Sequence, residues 1–219
     1  MLTLGLFVDG ANLFYAQRKL GWHIDYRRLY EYLSQDYHVY NAYYYTSVPL
    51  PVDASLEGFL RALTAMGYTV RRKALKEIVD QETGQTFRKA NLDIELVIDV
   101  FNTADLYDVA ILCTGDGDFE RAVELLRSRG KRVIGVGSRE MAAYDLINAV
   151  DRYIFLEDLR EFVGKAPAPP PVPAGERELP RPSELSALER DLARPEPDRP
   201  AQEHDLPRPA AERSLPVAD

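Results

Sequence analysis

Two aspartates, Asp116 and Asp118, stand among glycines in the stretch CTGDGDF (113–119), directly after an apolar run. A third, Asp9, follows the apolar run LTLGLFV in the stretch VDGAN. A fourth, Asp93, lies inside an apolar stripe. On a helix turning by about 100° per residue it sits mid-arc among Leu96, Val97, Val100 and Phe101. Helix capping accounts for Asp9 or Asp118 singly, and a salt bridge to Arg88 or Lys89 accounts for Asp93. Asp116 has no such explanation. If these carboxylates meet, they raise one another's pKa or demand a cation. Oxygen donors with no cysteine or histidine nearby suit Mg2+ or Mn2+ and argue against zinc. The residues therefore outline a divalent-metal site of Asp9, Asp93, Asp116 and Asp118.

Other chemistries lack their residues. His23, His38 and His204 are scattered and offer neither ligand spacing nor a partner for a nucleophilic serine. No phosphate-binding glycine loop is present, and GDGDF is not a dinucleotide fingerprint. A phosphatase of the haloacid dehalogenase type wants a second aspartate two positions after the first, and here that position is Ala11. The single cysteine, Cys113, falls in an apolar strand and reads as a small buried hydrophobe.

Positioning four acids requires elements that end where they stand. Strands are expected over 2–8, 39–48, 68–75, 85–90, 109–114, 132–137 and 152–156. Helices are expected over 12–20, 25–35, 54–66, 92–104, 119–129 and 141–150, with a last one at EDLREFV (157–163). The pieces 68–75 and 85–90 read as strands around a turn at ETGQ. This alternation predicts an α/β fold with a mostly parallel central sheet and helices on both faces. In such sheets, sites form beyond the carboxyl ends of the strands where the winding reverses. Asp9, Asp116 and Asp118 all follow strand ends.

Thirteen of the 15 prolines lie beyond Phe162, and no Phe, Trp or Tyr occurs from Gly164 to Asp219. Such a segment cannot bury enough apolar surface to offset its ordering entropy, so the expected organisation is a domain over 1–163 and a disordered Pro-rich tail over 164–219. Within the tail, 182–193 could form a short amphipathic helix. Charge divides as 19 basic against 24 acidic residues in the domain, and neither part is basic overall. That gives no support to bulk nucleic-acid binding, though it leaves room for a local patch. No apolar run approaches about 18 residues, and no basic-then-apolar leader opens the chain. The expectation is a cytoplasmic protein with no membrane segment.

The stretches FVDGANLFY, KANLD (89–93), CTGDGDF and INAVDRYIFLEDL (147–159) resemble, in that order, the NYN domains, the LabA-like branch of the PIN-like ribonucleases. The resemblance covers residues 3–160. It implies a three-layer PIN-like fold and metal-dependent cleavage of RNA phosphodiesters. Asp9, Asp93, Asp116 and Asp118 would then be both the catalytic and the metal-holding residues, with Mg2+ or Mn2+ as cofactor. Asn12 would orient Asp9 or touch substrate. Asp99 matches a recurrent family acid, yet the helical wheel turns it away from Asp93. Thr114 stands where the family often has serine, and a hydroxyl is kept.

Phosphate contacts are expected from Arg71, Arg72 and Lys73 with Arg88 and Lys89, joined by Arg18 and Lys19 if the first helix lines the groove. Strand alternation makes the tyrosines of YNAYYYTSV sheet-packing residues rather than base-stacking ones. RNA is the expected partner. The Pro-rich tail could recruit a protein, and a second copy could form a homodimer. The alternative function is a non-catalytic RNA-binding regulator or adaptor that keeps the same fold.

Overall fold

A computed structural model describes residues 1–79, 86–89 and 92–165, with backbone alone for 76–79 and 86–89. The chain divides into two units, Met1–Pro167 and Ala168–Asp219, and all of these residues lie in the first. The tail expected over 164–219 lies outside the described residues from 166 onward, and the 182–193 helix lies wholly outside them.

In chain order the elements are β1 (Thr3–Asp9), α1 (Gly10–Leu20), α2 (Tyr26–Ser34), β2 (His38–Val48), α3 (Ala54–Ala65) and β3 (Tyr68–Ala74). There follow β4 (Lys76–Val79), β5 (Thr86–Lys89), α4 (Asp93–Asn102), β6 (Val109–Cys113), α5 (Glu120–Ser128) and β7 (Arg132–Gly137). The last are α6 (Tyr144–Ala149), β8 (Arg152–Phe155) and α7 (Arg160–Val163). Short 3-10 turns precede α5 and α7 and follow α4. Six strands form one sheet in the order β3-β2-β1-β6-β7-β8, and every neighbouring pair is parallel. The expected α/β architecture is what the structure has.

Alternation along the strands builds two cores, because successive side chains point to opposite faces. On β1, Leu4, Leu6 and Val8 pack with Leu13 of α1, Leu29 of α2 and Leu63 of α3. Phe7 points the other way, to Leu96 and Val100 of α4 and Val123 and Leu126 of α5. The central strands β1 and β6 are thus covered on both faces, which is why their sequences are apolar nearly throughout. Tyr43, Tyr44 and Tyr45 of β2 are buried in these cores, as alternation predicts, with Phe7 stacked on Tyr43 at 5.4 Å. Cys113 is fully buried, and burial pushes its thiol well up, away from nucleophilic use.

Two expectations need correction. The strand at 86–89 does not turn back on 68–74. Instead β3 runs parallel to β2 at the edge of the main sheet, and β5 pairs antiparallel with β4. The buried Tyr68 anchors β3 to the core, its hydroxyl donating to Tyr26 O at 2.9 Å, so the chain must pass beyond Ala74 before a hairpin can form. The helix expected from residue 141 begins at Tyr144. Residues 141–143 instead pack over the loop after β6, where Ala143 N donates to Gly115 O at 2.8 Å.

The start of α1 and the loop after β6 run so close to their neighbours that a side chain does not fit. A Cβ on Gly10 would lie 2.5 Å from Tyr45 O and 2.7 Å from the Tyr44 ring, and one on Gly115 would lie 2.7 Å from Met141 O. Backbone cannot yield as a flexible side chain can. Gly10→Ala is therefore expected to destabilise the protein by about 1–3 kcal/mol, the usual range for overpacking. Urea unfolding checks this, with Gly58→Ala as the opposite control: inside α3, where a Cβ meets nothing within 4 Å, it should stabilise by about 0.5–1 kcal/mol.

Candidate active site

The winding reverses between β1 and β6. From β1 the chain builds outward through β2 and β3 on one side, and later through β6, β7 and β8 on the other. The crevice at the carboxyl ends of these two strands is where α/β sheets place their sites. Asp9 ends β1 and caps α1, its Oδ1 accepting from Asn12 N at 3.0 Å. Its Oδ2 accepts from Thr114 Oγ1 at 3.1 Å, across the gap to β6. Thr114 Oγ1 in turn accepts from Asp116 N at 3.2 Å. Asn12 makes a second crossing, its Oδ1 accepting from Gly115 N at 3.0 Å. The two loops are therefore joined by side chains from both sides.

Asp116 caps the 3-10 turn before α5, its Oδ1 accepting from Asp118 N at 3.0 Å. Capping, the alternative reading for Asp118, thus falls to Asp116, the acid that the sequence left without a structural explanation. Asp93 is the first residue of α4, where the helix dipole favours an anion. Asp93, Asp116 and Asp118 each offer a carboxylate oxygen, and these oxygens lie within 4.8 Å of one another. The first two are half-buried and the third is exposed. Asp9 lies outside that group but lines an open cavity of about 380 Å³ together with Asn12, Asp93 and Asp116. Burial raises the pKa of Asp9, and the Asp93 charge adds to the effect. The hydrogen bonds from Asn12 N and Thr114 pull the other way. The donor set is all oxygen and all anionic, which fits a hard divalent cation.

The NYN domain profile matches residues 3–157 of the chain. The chain belongs to the NYN domain family. It is 48% identical to the low amplitude and bright protein LabA of Synechococcus elongatus over 171 residues, 77% of this chain and 91% of that protein. Among solved structures it is similar to a protein of unknown function, VPA0982, from Vibrio parahaemolyticus. The TM-score is 0.63 at 24% identity, covering 74% of this chain and 96% of the other, and that likeness speaks for the fold alone.

In this NYN domain four of the basic residues expected to touch phosphate, Lys19, Arg71, Arg72 and Lys73, have acidic partners within the chain. Arg71 meets Asp99 through two contacts, Nε to Oδ2 at 2.9 Å and Nη2 to Oδ1 at 3.2 Å. Arg72 pairs with Glu57 at 3.3 Å and Lys73 with Glu95 at 2.6 Å. Lys19 pairs with Glu140 at 2.8 Å, and Arg18 lies over the Phe14 ring. The side chains of Arg88 and Lys89 lie outside the described residues. Asp99 also accepts from the Tyr45 hydroxyl at 3.0 Å, so it is a structural acid facing away from the cluster, as the helical wheel indicated.

Sequence reasoning missed the cavity's other wall, formed by Tyr15, Leu75, Leu92, Leu96 and Met141. Nothing in their spacing singles them out, because each reads as an ordinary core or loop position. Tyr153, whose hydroxyl donates to Thr114 O at 2.9 Å, was equally invisible.

Two outcomes are expected of the metal-free protein. The folded state holds the Asp9 proton more tightly than the unfolded chain, because its pKa is raised above the ordinary 3.8. This group's contribution is therefore fullest below that value and is lost as pH rises through the folded one. Asp9→Asn keeps both contacts, since the Thr114 hydroxyl can accept as well as donate. With chelator present, the variant should be more stable than the parent at neutral pH, and the two should converge near pH 3.8. Urea unfolding across the pH range measures this. Asp99→Ala leaves the buried Tyr45 hydroxyl without its acceptor and removes the Arg71 ion pair, and is expected to cost about 1–3 kcal/mol in the same assay.

Proposed function

We propose that this NYN domain is a metal-dependent ribonuclease hydrolysing RNA phosphodiester bonds. The observation that carries the reading is the convergence of Asp93, Asp116 and Asp118 within 4.8 Å beside the cavity that Asp9 also lines. Family membership supports it. In this reading Asp93, Asp116, Asp118 and Asp9 hold Mg2+ or Mn2+ and are the catalytic residues. When bound, such a cation supplies Lewis acidity to a phosphoryl oxygen and lowers the pKa of a water.

The chain's own groups do the rest. Asn12 N and Thr114 Oγ1 fix the Asp9 carboxylate in one orientation. Asn12 and Thr114 are positioning residues, keeping the loops after β1 and β6 in register. Arg71, Arg72 and Lys73 hold the walls through their ion pairs, and phosphate contacts fall to Arg88 and Lys89. Action in the cytoplasm and recruitment of a protein through the Pro-rich tail belong to the same proposal.

The test is cleavage of a labelled single-stranded RNA with and without Mn2+, with Asp116→Asn and Asp93→Asn alongside. Each substitution should lower metal-dependent cutting by about two orders of magnitude or more, the scale of a lost metal contribution. Calorimetry should show metal affinity lost in parallel while the unfolding transition is kept. Full activity in both variants would sink the assignment. Absence of metal binding in the parent protein, with RNA still bound, would favour the non-catalytic adaptor.

A further inference from the structure

The cavity has two chemical halves, and metal-ion chemistry needs only one. Beside the carboxylates, Leu75, Leu92 and Leu96 form an apolar wall, and Tyr15 and Met141 line the same space. Tyr15 stands one helical turn after Asn12 on α1, so both reach the cavity from one helix face. Its ring is 55% exposed, and Phe14 beside it is 53% exposed, the two meeting edge to face at 5.4 Å. Large rings left in water on a helix that otherwise buries Leu13 and Ala16 forgo the burial that usually stabilises them. Two hydroxyls, on Thr46 and Ser47, complete the lining. Thr46 donates to Ser47 O, and Ser47 Oγ makes no hydrogen bond among the described residues.

We propose that the apolar half is a nucleobase pocket: one unpaired base of the RNA inserts against Leu75, Leu92 and Leu96 and stacks on Tyr15. This rests on the ribonuclease reading and adds to it a substrate requirement. A flat, apolar-faced group with a polar edge matches a wall of leucines, an exposed phenol ring and two hydroxyls. Ligand clefts run from roughly 300 Å³ upward, and the acid and apolar halves together enclose about 380 Å³, room for a nucleotide with its phosphate at the acids and its base at the leucines. A base within an A-form helix cannot enter, since its faces are stacked and its edge is paired, so the nucleotide must be single-stranded. Stacking also suits a rim on which Arg71, Arg72 and Lys73 are already paired with acids, because it draws on ring faces rather than phosphate charge. Phe14, outside the cavity, offers a second face to the next base.

The experiment uses the full chain carrying Asp116→Asn, with Mn2+ and with chelator, and single-stranded oligoribonucleotides bearing 2-aminopurine at successive positions. Complex formation is followed separately by fluorescence polarisation. A saturable change in 2-aminopurine emission confined to one or two adjacent positions is expected, absent for the same nucleotide in a closed hairpin stem. Tyr15→Ala should weaken single-strand binding by about 5- to 150-fold, the span for one lost stacked base, and Tyr15→Phe should restore it. Because the Tyr15 ring is exposed, neither change threatens the fold, and an unchanged unfolding midpoint confirms that. Binding with uniform emission at every position, or equal affinity for stem and single strand, overturns the pocket and leaves the ribonuclease reading standing. No binding of any RNA, with or without Mn2+, also overturns the pocket, while the cleavage assay on the parent protein decides the ribonuclease reading separately.

Discussion

Two hydrogen bonds tie the carboxyl ends of the central strands together: Thr114 Oγ1 to Asp9 Oδ2, and Gly115 N to Asn12 Oδ1. The acid cluster depends on that tie. Like charges drive their loops apart, and a sheet end is held only by the last rung of its ladder, here Val8 opposite Cys113. Beyond that rung the side chains take over. Each crossing satisfies one donor, the Thr114 O–H and the Gly115 N–H. The loops can come this close only because glycines stand at 10 and 115, where backbone or ring atoms fill the space a Cβ would need. The 141–143 segment gives up helical form to clamp the second loop from above. Sheet order, glycine placement and a shortened α6 thus serve one arrangement.

That arrangement was legible in the sequence wherever a local rule was at work. Strand ends, glycine punctuation and a carboxylate inside an apolar helical stripe are short-range signals, and they pointed to Asp9, Asp93, Asp116 and Asp118. Asp99 was turned from the cluster by the same helical periodicity that kept Asp93 near it. What escaped was long-range. The partners of Arg71, Arg72 and Lys73 are Asp99, Glu57 and Glu95, contributed by α3 and α4. No window of sequence shows that three adjacent cations on an edge strand face acids on two helices. The β4–β5 pairing was hidden for a related reason. The expected strand ends at 75, and no local pattern marks 76–79 as the partner of 86–89. The leucine wall of the cavity was hidden because a residue lining a pocket and one lining a core obey the same pattern.

In the ribonuclease reading, those ion pairs bear on how an acidic domain would hold an acidic polymer. Most protein–RNA contacts begin with free lysines and arginines that displace counterions from phosphate. Here Arg71, Arg72 and Lys73 are already matched, so each phosphate they took up would release a carboxylate to repel the same strand. Two sources of attraction remain in the cavity. A divalent cation among the carboxylates reverses the local sign, and ring faces attract bases whatever the phosphate charge. The first makes metal and RNA binding mutually reinforcing, since a ligand that raises the affinity for another must have its own raised by the same factor. The second is indifferent to metal. In this reading, the acid half of the cavity makes the phosphate grip conditional on the cation, and the apolar half keeps a single-stranded substrate at the site while that condition is met.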